Sequence, residues 1–209
     1  MKLITCSVLI IIFCVYSFAQ ENAEEINEAK NEIMFWAGGS PTSNNLIGTT
    51  ENARFGIVGV RYARIFKPSK NIALKYTVDA VPVSVLSYPT FRFVPDGTGG
   101  FQFERRRESA YGAGVAPLGI QVNFRRQKKV QPFVNSSGGF IYFTKKVPSE
   151  FGSKFNFTAD LGGGVQFMLR NKKAISVGYK YHHLSNGYRS DDNPGFDSNI
   201  FYVGFSLFK

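Results

Sequence analysis

Lys154–Leu169 has the sequence KFNFTADLGGGVQFML, in which apolar and polar residues alternate along most of the length. Because successive side chains of a β-strand point to opposite sides, one face of this segment carries Phe155, Phe157, Ala159, Leu161, Val165, Phe167 and Leu169. The opposite face carries the polar residues Asn156, Thr158, Asp160 and Gln166. A polar interior with an apolar exterior is typical of a strand in a barrel that spans a membrane.

The same alternation recurs along the chain and predicts a fold made only of strands. The predicted strands span residues 33–40, 54–66, 72–86, 109–124, 130–143, 154–169, 174–186 and 199–208. The content of phenylalanine and glycine, 21 residues of each, favours strands and bends. Eight is the smallest common number of strands in a closed outer-membrane barrel. We therefore predict an all-β, eight-stranded antiparallel transmembrane β-barrel over residues 33–209.

The connections between the predicted strands alternate in length. Three are short and basic: KPSK at Lys67–Lys70, RQKK at Arg126–Lys129 and RNKK at Arg170–Lys173. Four are long: residues 41–53, 87–108, 144–153 and 187–198. Short periplasmic turns and long outer loops are a property of outer-membrane barrels. A secreted, lipocalin-like barrel has a similar number of strands, and it remains an alternative in which the apolar face lines a ligand cavity.

The N-terminal segment, Met1–Ala19, is predicted to be a secretory signal peptide. A lysine at position 2 precedes an apolar run, and Ser17-Phe18-Ala19 has the small-x-small pattern of a cleavage site. The apolar run is too short for a membrane-spanning helix. Both cysteines lie in this segment, so the mature chain is predicted to have no disulfide. Residues 20–32 form an acidic leader, to which we assign no function.

The charge and the hydropathy of the chain narrow the class of partner. The formal net charge is +10, from 25 Lys and Arg residues against 15 Asp and Glu residues. The mean hydropathy of −0.12 is too low for a bundle of membrane-spanning helices, whereas a membrane strand exposes only every second side chain to lipid. Export argues against a nucleic-acid partner. An anionic lipid surface is the expected partner of this basic chain.

The C-terminal segment Tyr179–Lys209, YKYHHLSNGYRSDDNPGFDSNIFYVGFSLFK, holds both histidines of the chain. His183 and Ser185 lie on the apolar face of one predicted strand, and Asp197 has the parity of the apolar face of the next, with Phe201 and Phe205. A serine hydroxyl becomes a nucleophile when an imidazole takes its proton, and a carboxylate orients that imidazole. These three residues supply the three groups, although histidine, serine and aspartate also meet by chance at the end of a strand.

This segment resembles the signature of the PagL-type outer-membrane lipid A 3-O-deacylases. In that signature an H-x-S-N element on one strand is followed by an N-x-G-x-E-S element that leads into the last strand. The matching residues here are His183, Ser185, Asn186, Asn193, Gly195, Asp197 and Ser198. Asp197 stands where the family pattern usually has glutamate. Since aspartate is one methylene shorter, its carboxylate must come closer to the imidazole.

The resemblance implies a role for each residue of the site. Ser185 is implied to be the nucleophile, His183 the general base, and Asp197 the acid that orients the base. The side chain of Asn193 and a backbone amide at Gly187 or Tyr188 are implied to hold the oxyanion. Asn186 and Gly195 are implied to support the site.

The implied reaction is hydrolysis of the 3-O-linked acyl ester of lipid A in lipopolysaccharide, in the outer membrane of a Gram-negative bacterium. If the N-terminus is periplasmic, the strand from Ala174 runs outward and places His183 and Ser185 at the outer leaflet, facing lipid. We expect no metal or other cofactor, because His182 and His183 point to opposite faces. A non-catalytic outer-membrane barrel and a secreted lipid-binding barrel remain as alternatives. Whether the barrel forms a homodimer is left open.

Arginines in two long loops are candidates for contacts with the phosphates of lipid A, since a guanidinium pairs well with phosphate. They are Arg105, Arg106, Arg107 and Arg189. A solvated loop surface is an equal interpretation of the three adjacent arginines.

Overall fold

The structure, a computed structural model, describes residues 29–209. Their strands are β1 (Asn31–Ser40), β2 (Ser43–Asn44), β3 (Arg54–Pro68), β4 (Ile72–Pro95), β5 (Phe101–Phe124), β6 (Val130–Val147), β7 (Ser153–Met168), β8 (Lys173–Ser185) and β9 (Phe196–Phe208). The predicted signal peptide and the predicted leader up to residue 28 lie outside the described residues. No helix in the described part of the chain is long and apolar enough to cross a membrane.

Eight long strands form a closed antiparallel ring. Each long strand pairs with the next one along the chain, and β1 pairs with both β3 and β9, which closes the sheet. The two-residue strand β2 lies between β1 and β3 in the sequence but pairs with the beginning of β9. The prediction of an eight-stranded antiparallel transmembrane β-barrel is confirmed.

Strand β7 shows the predicted division between a polar inner face and an apolar outer face. Asn156, Asp160 and Gln166 are buried inside the ring, whereas Phe157 and Leu161 are exposed on its outer surface. The outer faces of β8 and β9 carry further exposed apolar side chains: Ile175, Val177, Tyr179, Phe201, Val203, Phe205 and Leu207. The apolar face therefore lies outside the barrel. A lipocalin-like arrangement would place this face around an interior cavity, so that alternative was wrong.

Buried charged side chains fill the interior and pair with one another. Arg61 Nη2 lies 2.9 Å from Asp79 Oδ2, and Lys75 Nζ lies 2.7 Å from Glu32 Oε2. The indole of Trp36 donates a hydrogen bond to Asp79 at 2.9 Å. A buried charge that loses its partner typically destabilises a fold by about 3–5 kcal/mol. The paired charges therefore make the interior a specific, packed polar core.

Strand β1 begins at Asn31, before the predicted start at Ile33, and this places Glu32 in the barrel. Glu32 is buried, and its carboxylate accepts hydrogen bonds from Lys75, Gln166 and Ser206. Residues 31 and 32 therefore belong to β1 rather than to the acidic leader. Inside the barrel, Glu32 neutralises the buried Lys75. The sequence pattern did not distinguish it from the other glutamates of the leader.

Most of the predicted long loop 87–108 is a β-hairpin that extends β4 and β5. Strand β4 continues to Pro95, β5 begins at Phe101, and the two segments stay in register. Phe93 and Phe103 contact each other across the strands, with ring centroids 4.4 Å apart, and such pairs stabilise a strand pair. The prediction of a loop was wrong here, because prolines and a run of arginines obscured the alternation of the phenylalanines.

Candidate active site

Strands β8 and β9 bring His183 and Asp197 together and place Ser185 near them on the same face. His183 pairs directly with Asp197 in the antiparallel ladder, and Ser185 follows His183 by two positions on the same face. The residues that share this face, such as Tyr179 on β8 and Phe201 on β9, are exposed on the outer wall. His183, Ser185 and Asp197 therefore belong to the outer face of the barrel, as the strand alternation predicted.

His183 and Asp197 form a hydrogen-bonded pair. The distance from His183 Nδ1 to Asp197 Oδ1 is 2.7 Å, which is typical of a charge-assisted hydrogen bond. The Asp197 side chain is completely buried, whereas that of His183 is 16% exposed. A carboxylate that accepts a proton from Nδ1 orients the imidazole and leaves Nε2 to act as a proton acceptor.

The loop between β1 and β3, residues 41–53, covers Asp197 on the outer wall. The backbone N–H groups of Leu46, Ile47 and Gly48 donate hydrogen bonds to Asp197 Oδ2 at 2.9, 2.6 and 2.8 Å. The two carboxylate oxygens thus have different partners, since Oδ1 contacts the imidazole and Oδ2 contacts the loop. The sequence does not indicate this contact, because about 150 residues separate the loop from Asp197 and no local pattern connects them.

Ser185 is the last residue of β8 and is half-buried. Within residues 29–209, no hydrogen bond joins its hydroxyl to His183. Catalytic hydrogen bonds are often long or poorly aligned until substrate binds. Ser185 pairs across the sheet with Phe157 of β7, which is exposed. Apolar surface suited to an acyl chain therefore lies next to this hydroxyl.

Asn186 holds the loop that follows Ser185. Its side-chain amide donates to Ser190 Oγ and to the backbone oxygen of Asp192, both at 2.7 Å. Its backbone N–H donates to Asn193 Oδ1 at 2.8 Å. Because Asn186 is buried, these bonds fix the path of the chain immediately after the serine.

Three N–H donors near Ser185 have no partner in the part of the chain that the structure describes. They are the side-chain nitrogen of Asn193 and the backbone N–H groups of Gly187 and Tyr188. Gly187 and Tyr188 have φ angles of 63° and 59°, and a non-glycine residue in this left-handed region is uncommon. Such strained backbone tends to occur at functional sites. The Asn186 N–H is already bonded, so Gly187 and Tyr188 carry the backbone donors that remain.

Two glycines allow the loops 41–53 and 186–195 to meet beside His183. Gly195 has a φ of 66°, which favours glycine, and a Cβ at this position would lie 3.1 Å from His183 Cε1. A Cβ at Gly48 would lie 2.8 Å from the carbonyl carbon of Gly195. A side chain at Gly48 would require the backbone to shift, and one at Gly195 would press on the imidazole of His183.

His182 points into the barrel, as predicted, and belongs to a separate cluster. Its Nδ1 lies 2.6 Å from Asp160 Oδ1, and Lys180 Nζ lies 3.2 Å from Asp160 Oδ2. The ring of Phe55 stacks on the imidazole with centroids 5.0 Å apart. The barrel wall therefore separates this histidine from Ser185. Residues 29–209 contain no cluster of three or more His, Cys, Asp or Glu side chains arranged to hold a metal ion.

The arginines proposed to meet phosphates have different surroundings. Arg107 is tied to two backbone carbonyls at the base of the hairpin, at 2.9 Å each. Arg106 pairs with Glu104 at 2.9 Å, and the guanidinium of Arg189 lies 5.4 Å from the centroid of the Phe155 ring. A contact between these arginines and lipid A phosphate stays a prediction.

The paired polar interior and the apolar outer wall define the class of protein as an outer-membrane β-barrel, and an imidazole–carboxylate pair lies on that wall close to a serine. The particular family follows from comparison with known families. The family model described as lipid A 3-O-deacylase (PagL) matches residues 71–206, which is more than half of the chain. The chain belongs to this family. Its function is removal of the 3-O-linked acyl chain from lipid A in the outer membrane of a Gram-negative bacterium.

Two solved structures share the fold. The crystal structure of the outer membrane enzyme PagL is similar with a TM-score of 0.56 at 16% sequence identity, over 83% of this chain and 98% of that one. The crystal structure of Neisserial surface protein A (NspA) is similar with a TM-score of 0.53 at 13% identity, over 85% of this chain and 96% of that one. At these identities the likeness concerns the fold alone. Among curated proteins, none matches the chain.

Proposed function

We propose that Ser185, His183 and Asp197 form the catalytic triad with which this chain hydrolyses the 3-O-acyl ester of lipid A. The observation that supports this proposal most strongly is the 2.7 Å hydrogen bond between His183 and Asp197, on the outer wall and two residues from Ser185. Lipid A forms the outer leaflet of the membrane. A triad on the outer wall therefore meets the ester without removing the lipid from its leaflet.

In the first step, the Ser185 oxygen forms a bond with the ester carbonyl carbon while His183 Nε2 takes the hydroxyl proton. Asp197, bonded to Nδ1, holds the ring and stabilises the imidazolium that forms. The serine and the imidazole need to approach hydrogen-bonding distance for this transfer, and the bound acyl group supplies the packing that brings them together.

The carbonyl oxygen becomes an oxyanion when Ser185 attacks. The side-chain nitrogen of Asn193 and the N–H groups of Gly187 and Tyr188 are the donors proposed to stabilise it. The hydrogen bond from Asn186 to Asn193 Oδ1 supports this role, because it fixes the amide with its nitrogen free. In other serine hydrolases, loss of one such donor lowers turnover by about 10²–10³-fold.

The sugar oxygen then leaves as the 3-hydroxyl group after it takes a proton from the His183 imidazolium. The acyl chain stays on Ser185 as an ester. Water attacks this acyl-serine, His183 accepts a proton from the water, and the fatty acid departs as the serine recovers its hydroxyl proton. The net reaction consumes one water.

Covalent trapping tests the assignment of the nucleophile. The purified barrel in detergent is treated with a long-chain alkyl fluorophosphonate, which phosphonylates an activated serine, and the modified peptide is identified by mass spectrometry. We expect one adduct, on Ser185, and a rate of modification at least 100-fold lower in His183→Gln, since an unactivated serine hydroxyl is a weak nucleophile.

The matched control is Ser109→Ala, which removes an exposed serine from β5. This variant keeps the adduct, whereas Ser185→Ala loses it. An adduct on another serine, or an unchanged rate of modification in His183→Gln, would contradict the proposed roles.

A further inference from the structure

The loop 41–53 is folded onto the outer wall at the site itself. Strand β2 pairs Ser43 with Ser198 and Asn44 with Asp197, so the loop continues the sheet at the beginning of β9. Ser43 Oγ also braces the loop internally, because it donates to the Thr50 carbonyl at 2.6 Å and accepts from the Ala53 N–H at 2.9 Å. The loop therefore has a defined shape next to Asp197.

Three consecutive backbone donors of this loop converge on one carboxylate oxygen. The N–H groups of residues 46–48 reach Asp197 Oδ2 at 2.6–2.9 Å, and hydrogen bonds to an ionised acceptor are the stronger kind. With Oδ2 held in this way, the carboxylate cannot rotate without loss of three bonds. Oδ1 is then fixed in the position from which it contacts His183 Nδ1.

The loop is also attached to the chain segment that follows Ser185. The Thr49 N–H donates to the Pro194 carbonyl at 2.6 Å, and the Thr50 N–H donates to the Gly195 carbonyl at 3.3 Å. Gly48 packs directly against Gly195, which in turn lies against the imidazole of His183. One short loop thus contacts both the carboxylate and the segment that bears the proposed oxyanion donors.

We propose that residues 46–48 are a positioning clip, which holds the Asp197 carboxylate in the orientation that aligns His183 for proton transfer. This inference rests on the proposed function, in which Asp197 orients the base. The backbone N–H groups of the clip reach the Asp197 carboxylate rather than the reacting atoms, so these donors act through Asp197. It also explains how a short aspartate serves in this site, since the three bonds to Oδ2 fix the carboxylate with Oδ1 turned towards the imidazole.

The variant that tests the clip is Gly48→Ala, with Gly56→Ala as its matched control. An added Cβ at Gly48 meets backbone atoms of Gly195 and Phe196 at 2.8–2.9 Å, whereas an added Cβ at Gly56 has no atom within 4 Å. We expect Gly48→Ala to lower kcat on 3-O-acylated lipid A about 10-fold to 100-fold, because a misplacement of about 1 Å has effects of this size. KM stays within about threefold, and Gly56→Ala behaves as wild type.

A double-mutant cycle with Asp197→Asn separates positioning from a structural effect. If the clip acts through Asp197, Gly48→Ala lowers kcat less than about threefold in the Asp197→Asn background, because coupled residues are not additive. Ile47→Pro removes the N–H group that makes the shortest of the three hydrogen bonds, and it adds no bulk next to Gly195. We expect it to lower kcat, as Gly48→Ala does. Heat-modifiable migration on gels shows whether each variant forms a folded barrel.

Each outcome of the cycle decides between the two proposals. Full activity in Asp197→Asn overturns the triad itself. Loss of activity in Asp197→Asn together with full activity in both folded loop variants overturns the clip and leaves the triad standing. An equal loss from Gly48→Ala in both backgrounds also overturns the clip, since the loop would then act by another route.

Discussion

Asp197 is one methylene shorter than the glutamate that usually occupies this position in the family pattern, and two features accommodate the shorter side chain. Asp197 is the direct cross-strand partner of His183, so the two Cα atoms are neighbours in the ladder. The loop amides then hold Oδ2 on the side away from the imidazole. The short side chain of Asp197 therefore fits the space between His183 and the loop 41–53.

The fit between Asp197 and the loop predicts that Asp197→Glu is not neutral. The added methylene moves the carboxylate by about 1.5 Å, which breaks the bonds to the loop or displaces the imidazole. We expect kcat to fall about 10-fold to 100-fold with little change in KM, measured with 3-O-acylated lipid A in detergent micelles. Asp191→Glu, at an exposed position of the loop between β8 and β9, serves as the control. Full kcat in Asp197→Glu would show that the loop contacts are not needed.

At the level of residues, the strand period was sufficient to place the candidate groups on one face. His183 and Ser185 are two positions apart, and Asp197 has the parity of Phe201 and Phe205, so alternation alone predicts that all three face outward. The burial of Asp197 could not be predicted in this way. It depends on a loop distant in sequence, whose donors are backbone N–H groups that any residue type carries.

At the level of elements, two predicted loops on the outer side of the barrel contain strand structure that the sequence pattern did not predict. The loop 41–53 contains the short strand β2, and the predicted loop 87–108 is a hairpin with exposed phenylalanines. The regular alternation of polar and apolar residues was sufficient to predict the strands of the barrel wall. The outer segments have no buried face to impose that regularity, so their sequence gives a weaker signal.

The loop 41–53 and the hairpin at the ends of β4 and β5 are expected to differ in their contact with the membrane. Leu46 and Ile47 are 74% and 64% exposed on the outer wall beside the site, where acyl chains must lie for the reaction. Strands β4 and β5 have 24 residues each, and about 9–11 residues suffice to cross a bilayer. The end of the hairpin therefore extends beyond the acyl layer.

Fluorescence quenching by lipids with brominated acyl chains tests this difference. We expect the added emission of Leu46→Trp to be strongly quenched in vesicles of such lipids, because the side chain lies among the acyl chains. The added emission of Phe103→Trp, at the end of the hairpin, is expected to be quenched much less. Trp36 is inside the barrel and gives the same background in both variants. Equal quenching of the two, or an unquenched Leu46→Trp, would contradict this arrangement.

At the level of the whole molecule, the barrel separates two aspartate–histidine pairs by its wall. Asp160 and His182 belong to the interior, where Asp160 contacts both His182 and Lys180 in the polar core. Asp197 and His183 belong to the exterior, where the substrate lies. Two adjacent histidines thus have different environments, because adjacent side chains of one strand face opposite ways.

The barrel as a whole was predictable because closure and a membrane environment constrain every strand in the same way. The pairing of charged side chains inside the barrel was less predictable. Arg61 and Asp79 are direct partners on the adjacent strands β3 and β4, whereas Lys75 of β4 reaches past β3 to Glu32 of β1. Both contacts depend on the register of the strands around the ring. A one-dimensional pattern shows which side chains point inward but not which of them come into contact.

Mass spectrometry of lipid A from bacteria that express the protein tests the central claim most directly. Wild type and the control Ser109→Ala are expected to remove one acyl chain from the 3-position, and Ser185→Ala, folded and present in the outer membrane at the same level, is expected to remove none. Lipid A that loses the same chain in the presence of Ser185→Ala would contradict a serine triad on the outer wall of this barrel.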